Sequence, residues 1–294
     1  MTTAFRTIEG IYGGAPFHMV GDGFHVSNYF PSENNFGHRF SPFLLLDYNA
    51  PYVFPPSNEV RGVGAHPHRG FETVSIAYEG RVEHHDNHGN HGIIGPGDVQ
   101  WMTAGSGLLH KEYHEKEFSK QGGTFHFIQL WVNLPRANKM HPPRYQELLK
   151  RDMGRAELPD NGGEVRVIAG DYNGVRGPAQ TFTPIHLFDI RFNKNGKAGF
   201  ELPATYNTAA LVLRGSAIVN GSVTAAEGNF VLFGNGPGEI AIEGRTDDTL
   251  VLVLSGEPID EPIYQHGPFV MNSREEIIEA FQDFQSGKMG SADF

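Results

Sequence analysis

Cysteine is absent from all 294 residues, which excludes disulfides, thiolate-held zinc and iron–sulfur clusters, so any metal must rest on histidine and carboxylate. Basic runs are also missing. With a formal net charge of −11, the chain lacks the cationic surface that phosphate binding relies on, and no direct contact with nucleic acid is expected. No apolar stretch approaches the ~20 residues of a membrane span, and "MTTAFRTIEGIYGG" has no basic region followed by an apolar one. The expectation is a cytoplasmic protein without a membrane partner. Charged residues are scarce too, at 19%, whereas glycine (37) and proline (19) are not. That balance belongs to many short strands and turns rather than to long solvent-facing helices, so the fold class read here is all-β.

Strand-sized apolar runs bounded by turn residues fill both halves. The first half holds "FSPFLLLDY" (40–48), "TVSIAYEG" (73–80), "GDVQWMTAG" (97–105) and "TFHFIQLWVNL" (124–134). The stretch "PRANKMHPPRYQEL" (135–148) then gathers three prolines and reads as a connection between two domains. Strands resume with "EVRVIAG", "IHLFDIRF", "AALVLRGSAIVNG", "EGNFVLFGNG" and "TLVLVLSG". "SIAYEGRVEH" and "ALVLRGSAIVN" share an apolar–Gly–apolar form, which points to a duplicated β unit. Placing Gly80 on Gly215 sets Glu201 and Pro203 against His66 and His68, so one metal site per chain is expected. The clearest helix is "NSREEIIEAFQDFQSG" (272–287): Ser273 and Glu276 fit a capping box, Gly287 supplies the stop, and Ile277, Ile278, Phe281 and Phe284 are expected to pack as one apolar face.

The chemistry lies in two short stretches. "GVGAHPHRGFETV" (62–74) carries His66 and His68 at i and i+2, which a strand turns to one face where two imidazoles can grip one ion. "SGLLHKEYHEKE" repeats the device with His110 and Glu112, leaving Lys111 on the other face. Two such strands facing each other inside a barrel would converge three imidazoles and one carboxylate. With neutral histidines and an ionised glutamate, a divalent ion there leaves a net charge of +1, suited to one anionic oxygen ligand. A helical reading of His110 and His114 as a zinc-protease pair is the lesser alternative, because the glutamate is at the wrong offset for H-E-x-x-H and the preceding "GSG" disfavours a helix start. His84, His85, His88 and His91 in "VEHHDNHGNHG" sit among Asp, Asn and Gly and are read as a solvated loop rather than a second site.

"HPHRGFETVSIAYEG", "GPGDVQWMTAGSGLLHKE", "FSPFLLLDYNAP" and "GEPIDEPIYQHGPFVMNSREEIIEAFQDF" together resemble the pirin family, bicupins of the cupin superfamily, over most of the chain. The resemblance implies two tandem antiparallel cupin β-barrels with a short C-terminal helix: residues 1–138 holding the metal site, and 139–294 a degenerate barrel with the helix. It implies His66, His68, His110 and Glu112 as ligands of one divalent transition metal, iron(II) first, with Mn, Co, Ni, Cu or Zn as alternatives. Many cupins place their carboxylate four residues after the second histidine, where Glu72 stands, so Glu72 is the rival fourth ligand. The general cupin pattern would also put its third histidine at Gln100. The implied activity is that of a quercetin 2,3-dioxygenase acting on a small planar phenol and O2, with Glu112 as catalytic base. The alternative is a metal- or redox-sensing regulator that binds a transcription factor or metabolic enzyme, and under either reading closed barrels with few exposed edges lead to the expectation of a monomer.

Overall fold

A computed structural model describes residues 4–31 and 37–294. The chain forms two tandem antiparallel cupin barrels, with one helix of more than two turns near the C-terminus. Their sequence limits differ from a single division at 138/139. One compact unit gathers Met1–Ala15, Ser32–Pro42 and Arg151–Pro258, and the other gathers Pro16–Pro31, Phe43–Lys150 and Ile259–Phe294. Strand pairing is the cause. Ile8–Tyr12 hydrogen-bonds to Phe230–Phe233, so the first strand belongs with the later barrel. Within "PRANKMHPPRYQEL", expected as a connector, Arg144–Leu148 is a strand paired with Val99–Thr103 of the earlier barrel.

The barrel containing the histidine pair combines a seven-stranded and a four-stranded sheet. The larger runs, in spatial order, through Arg144–Leu148, Val99–Thr103, Phe71–Glu79, Gly123–Asn133, Phe43–Phe54, Phe24–Phe30 and His18–Val20. The smaller runs through Gly62–His68, Leu108–His114, Val82–Asp86 and His91–Ile94. Phe24, Val26, Phe54, Phe125 and Phe127 fill one region of this barrel as an apolar core. The C-terminal helix, Arg274–Gln285, adds to the same unit. Ser273 caps it by accepting from the Glu276 N–H, and Glu276 accepts from the Asn272 N–H at 2.7 Å. Ile277 and Ala280 pack with Phe269 and Leu109, while Ile278 and Phe284 stay exposed, contrary to the expected four-residue stripe. Asp283 takes the inward place instead, because Arg69, next to His68, bonds its carboxylate at 3.0 Å.

The later barrel repeats the plan, with a seven-stranded sheet and a four-stranded one ordered Lys197–Phe200, Ile240–Gly244, Ser216–Val219 and Val223–Ala226. Gly80 and Gly215 occupy matching corners with φ of +82° and +74°, a left-handed conformation that glycine adopts without strain. At the strands equivalent to those bearing His66 and His110, the second barrel buries Ala198, Phe200, Ile240 and Ile242 in an apolar core. Its interior is packed with hydrocarbon where the first barrel has imidazoles. Among the described residues no helix is long and apolar enough to cross a membrane.

Candidate metal centre

Alternation along Leu108–His114 buries His110 and Glu112 and leaves Lys111 half-buried. Gly62–His68 lies beside it as its hydrogen-bonded neighbour, not across the barrel, and His66 stands directly opposite His110. Between His110 and Glu112 the register slips, with Val63 to His66 set against two steps of the partner, which is a β-bulge. The outcome is a triangle: one ligand nitrogen from each of His66, His68 and His110 lies within 4.8 Å of the others. Ring centroids of His66 and His110 are 4.3 Å apart, and those of His68 and His110 are 4.8 Å apart.

Each imidazole has its Nδ1 engaged. His66 Nδ1 lies 2.8 Å from Gly64 O, His68 Nδ1 is 3.4 Å from Pro268 O, and His110 Nδ1 is 3.1 Å from His84 Nε2. The two carbonyls accept from Nδ1–H and so leave Nε2 of His66 and His68 with its lone pair free, and His110 takes the same arrangement when His84 Nε2 is the acceptor, as around metal-bound histidines. His110 Nε2 is fully buried with no hydrogen-bond partner among the described residues, a costly state unless an electrophile occupies the space before it. Burial keeps His66, His68 and His110 neutral by lowering their basicity, and the neighbouring imidazoles push His68 and His110 further the same way. The donor set therefore fits a divalent transition ion.

Glu112 stands outside the triangle. Its Oε1 accepts from the Ser75 hydroxyl at 3.2 Å, and burial raises its carboxyl to about 7. It nevertheless lines the same cavity as His66 and His68, a space of about 390 Å³ walled by Phe24, Val26, Val63 and Trp131. Glu72 turns to the opposite face of its strand from Ser75, where it accepts from Thr103 Oγ1 at 2.7 Å and lies 3.8 Å from Arg144. Gln100 is wholly buried, and neither side-chain amide atom has a partner among the described residues. Lys111 points away, its ammonium bonding the Phe294 carbonyl and lying 4.8 Å from that ring's centre.

The histidine-rich stretch is not a loop. Val82–Asp86 and His91–Ile94 form a hairpin, and the only loop is its turn, where Asp86 accepts from the His88 and Asn90 N–H groups. His84, at 1% exposure, faces inward and supports His110, and burial lowers its pKa to about 3. Its role was readable in principle, because alternation from Val82 places His84 and Asp86 together. Asn49 was also missed. It lines the cavity at 2% exposure, and both atoms of its amide lack partners among the described residues. Asp47, two residues earlier on the same face, lines the cavity too and accepts from Asn28 at 2.7 Å.

Two family models match the chain. The model described as Pirin matches residues 23–132, and that described as Pirin C-terminal cupin domain matches residues 187–290. A Pseudomonas aeruginosa protein named "Putative quercetin 2,3-dioxygenase" is 52% identical over 283 residues, covering 96% of this chain and 98% of that protein. A crystal structure of a quercetin 2,3-dioxygenase from Acinetobacter baumannii superposes with a TM-score of 0.93 at 46% identity, over 98% of this chain and 100% of that one. A bacterial pirin from Escherichia coli, crystallised with nickel(II), shares the fold at a TM-score of 0.64 and 23% identity, over 85% of this chain and 100% of that one.

Proposed function

This chain belongs to the pirin family, and from that premise we propose that it is a metal-dependent dioxygenase that opens a flavonol-type ring with O2 and releases carbon monoxide. The observation that carries this reading is the triangle of His66, His68 and His110 beside an apolar cavity, with His110 Nε2 unpartnered among the described residues. A cavity of about 390 Å³ falls within the range of roughly 300–1,000 Å³ typical of small-molecule sites. His66, His68 and His110 would hold the ion, with Glu112 as fourth ligand. When bound, a divalent transition metal, iron(II) first among the candidates, supplies Lewis acidity that makes an enolic hydroxyl acidic near neutral pH.

The chain's own residues do the rest. Phe24, Val26 and Trp131 take the planar rings out of water, and Asn49 meets a polar substituent with its amide. Glu112, a buried carboxylate lining the same cavity, accepts the 3-hydroxyl proton. Ring opening breaks the C2–C3 and C3–C4 bonds, C3 leaves as carbon monoxide, and both atoms of O2 enter the ester product. The test is to load the protein with iron, add quercetin under air, and follow loss of its near-visible band together with carbon monoxide. No turnover with any of Fe, Mn, Co, Ni or Cu removes the enzymatic reading.

The second reading, a metal-sensing regulator, draws on the apolar exposure of Phe17, Met19, Tyr52 and Val53 on the same unit. A partner protein would cover that surface in a way that depends on the metal's oxidation state. Partner capture that differs between ferrous and ferric protein, without quercetin turnover, favours it.

A further inference from the structure

The outward face of the Val82–Asp86 and His91–Ile94 hairpin carries a second set of metal-ligating side chains. His85 stands directly opposite His91, and Glu83 shares their face two residues before His85. One carboxylate oxygen, Glu83 Oε1, lies 2.9 Å from His85 Nε2 and 3.8 Å from His91 Nε2. The two rings sit 4.7 Å apart, and one ligand atom from each of the three residues lies within 4.8 Å of the others. We propose that Glu83, His85 and His91 form a second binding site for a divalent transition ion of the zinc, nickel or copper class.

Three features carry this beyond a surface ion pair. A hydrogen bond between Glu83 and His85 needs only one imidazole, yet a second, His91, stands 3.8 Å from the same oxygen without bonding it, a gap that a shared ion would bridge. The strands are held in register at the histidines, because Asp86 Oδ1 accepts from the His88 and Asn90 N–H groups and Oδ2 from the Asn90 side chain. Lys111 is also diverted: it pairs with His85 in register, but its ammonium is bound at the Phe294 carbonyl. Two imidazoles and one carboxylate suit borderline ions, and water completes the sphere.

The site shares no ligand with the inner centre, since alternation sends His84 inward and His85 outward. Being half-open to solvent, with side-chain exposures of 26% for Glu83, 31% for His85 and 56% for His91, it should bind more weakly than the buried triangle.

Chelator-stripped full-length protein titrated with Zn2+ in equilibrium dialysis should take up two ions per chain. His91→Ala and Glu83→Gln should each weaken the looser ion by at least the roughly tenfold that loss of an outer-shell partner costs and leave the tighter one unchanged. His110→Ala should weaken the tighter ion alone, so failure of the inner assignment is read separately. A single ion per wild-type chain that His91→Ala and Glu83→Gln leave undisturbed, or a second ion that neither outer variant disturbs, overturns the proposal.

Discussion

His84 Nε2 lies 3.1 Å from His110 Nδ1, so the third metal-facing imidazole is oriented by a fourth that faces inward from the next strand. Removing such an outer partner commonly costs about 10–100-fold in metal affinity. His84→Ala should therefore weaken the inner ion by at least about tenfold while the protein stays folded, and His84→Gln, which keeps an acceptor near His110, should recover part of the loss. Competition with a chromogenic chelator measures both. Equal affinity in all three proteins contradicts the role.

Asn49 presents a buried amide with no partner among the described residues, and an unsatisfied polar group of this kind costs about 1–3 kcal/mol. Asn49→Leu removes that cost, so it should raise the thermal midpoint of the ligand-free protein while raising KM for a flavonol. A merely structural amide predicts a lowered midpoint and an unchanged KM. Differential scanning fluorimetry with steady-state kinetics separates the two.

Glu72 is 1% exposed, and burial lifts its carboxyl to about 7 against a partial lowering by the Thr103 hydroxyl. The unfolded side chain loses its proton near 4.5, so between there and about 7 the folded chain binds more protons. Its contribution to stability is full below that window and is lost as pH rises through it. Glu72→Gln removes the titration, so the stability difference should move in the variant's favour by roughly 2–3 kcal/mol from pH 4.5 to 7.5. Urea unfolding at both pH values checks it, and a constant difference counts against it.

Lys111 lies between His110 and Glu112 in sequence but is held at Phe294. Lys111→Ala should leave affinity at the inner site and turnover unchanged. A marked gain in metal affinity in a calorimetric titration would mean that its charge reaches the site.

Much of the site could be read from alternation alone. His66 with His68, and His110 with Glu112, each share a face because strands have period two, and Lys111 points away for the same reason. The pairing could not be read, since which strands become neighbours is settled by long-range hydrogen bonding. The two ligand strands lie side by side, and a bulge adjusts their register. Polar composition misled at His84 and His85, where a four-residue turn between two strands looked like a longer loop. Composition cannot distinguish a solvated histidine from one supporting a buried neighbour. The helix shows the converse error: apolar spacing chose Ile278 and Phe284, but the Arg69 guanidinium drew Asp283 inward.

The most direct test of the inner centre is anomalous diffraction from crystals of protein loaded with iron(II) or nickel(II). The account predicts a peak about 2.0–2.2 Å from Nε2 of His66, His68 and His110, with the Glu112 carboxylate turned from Ser75 to reach it. A loaded protein with no density inside that triangle, or with the ion held by Glu72, would contradict it.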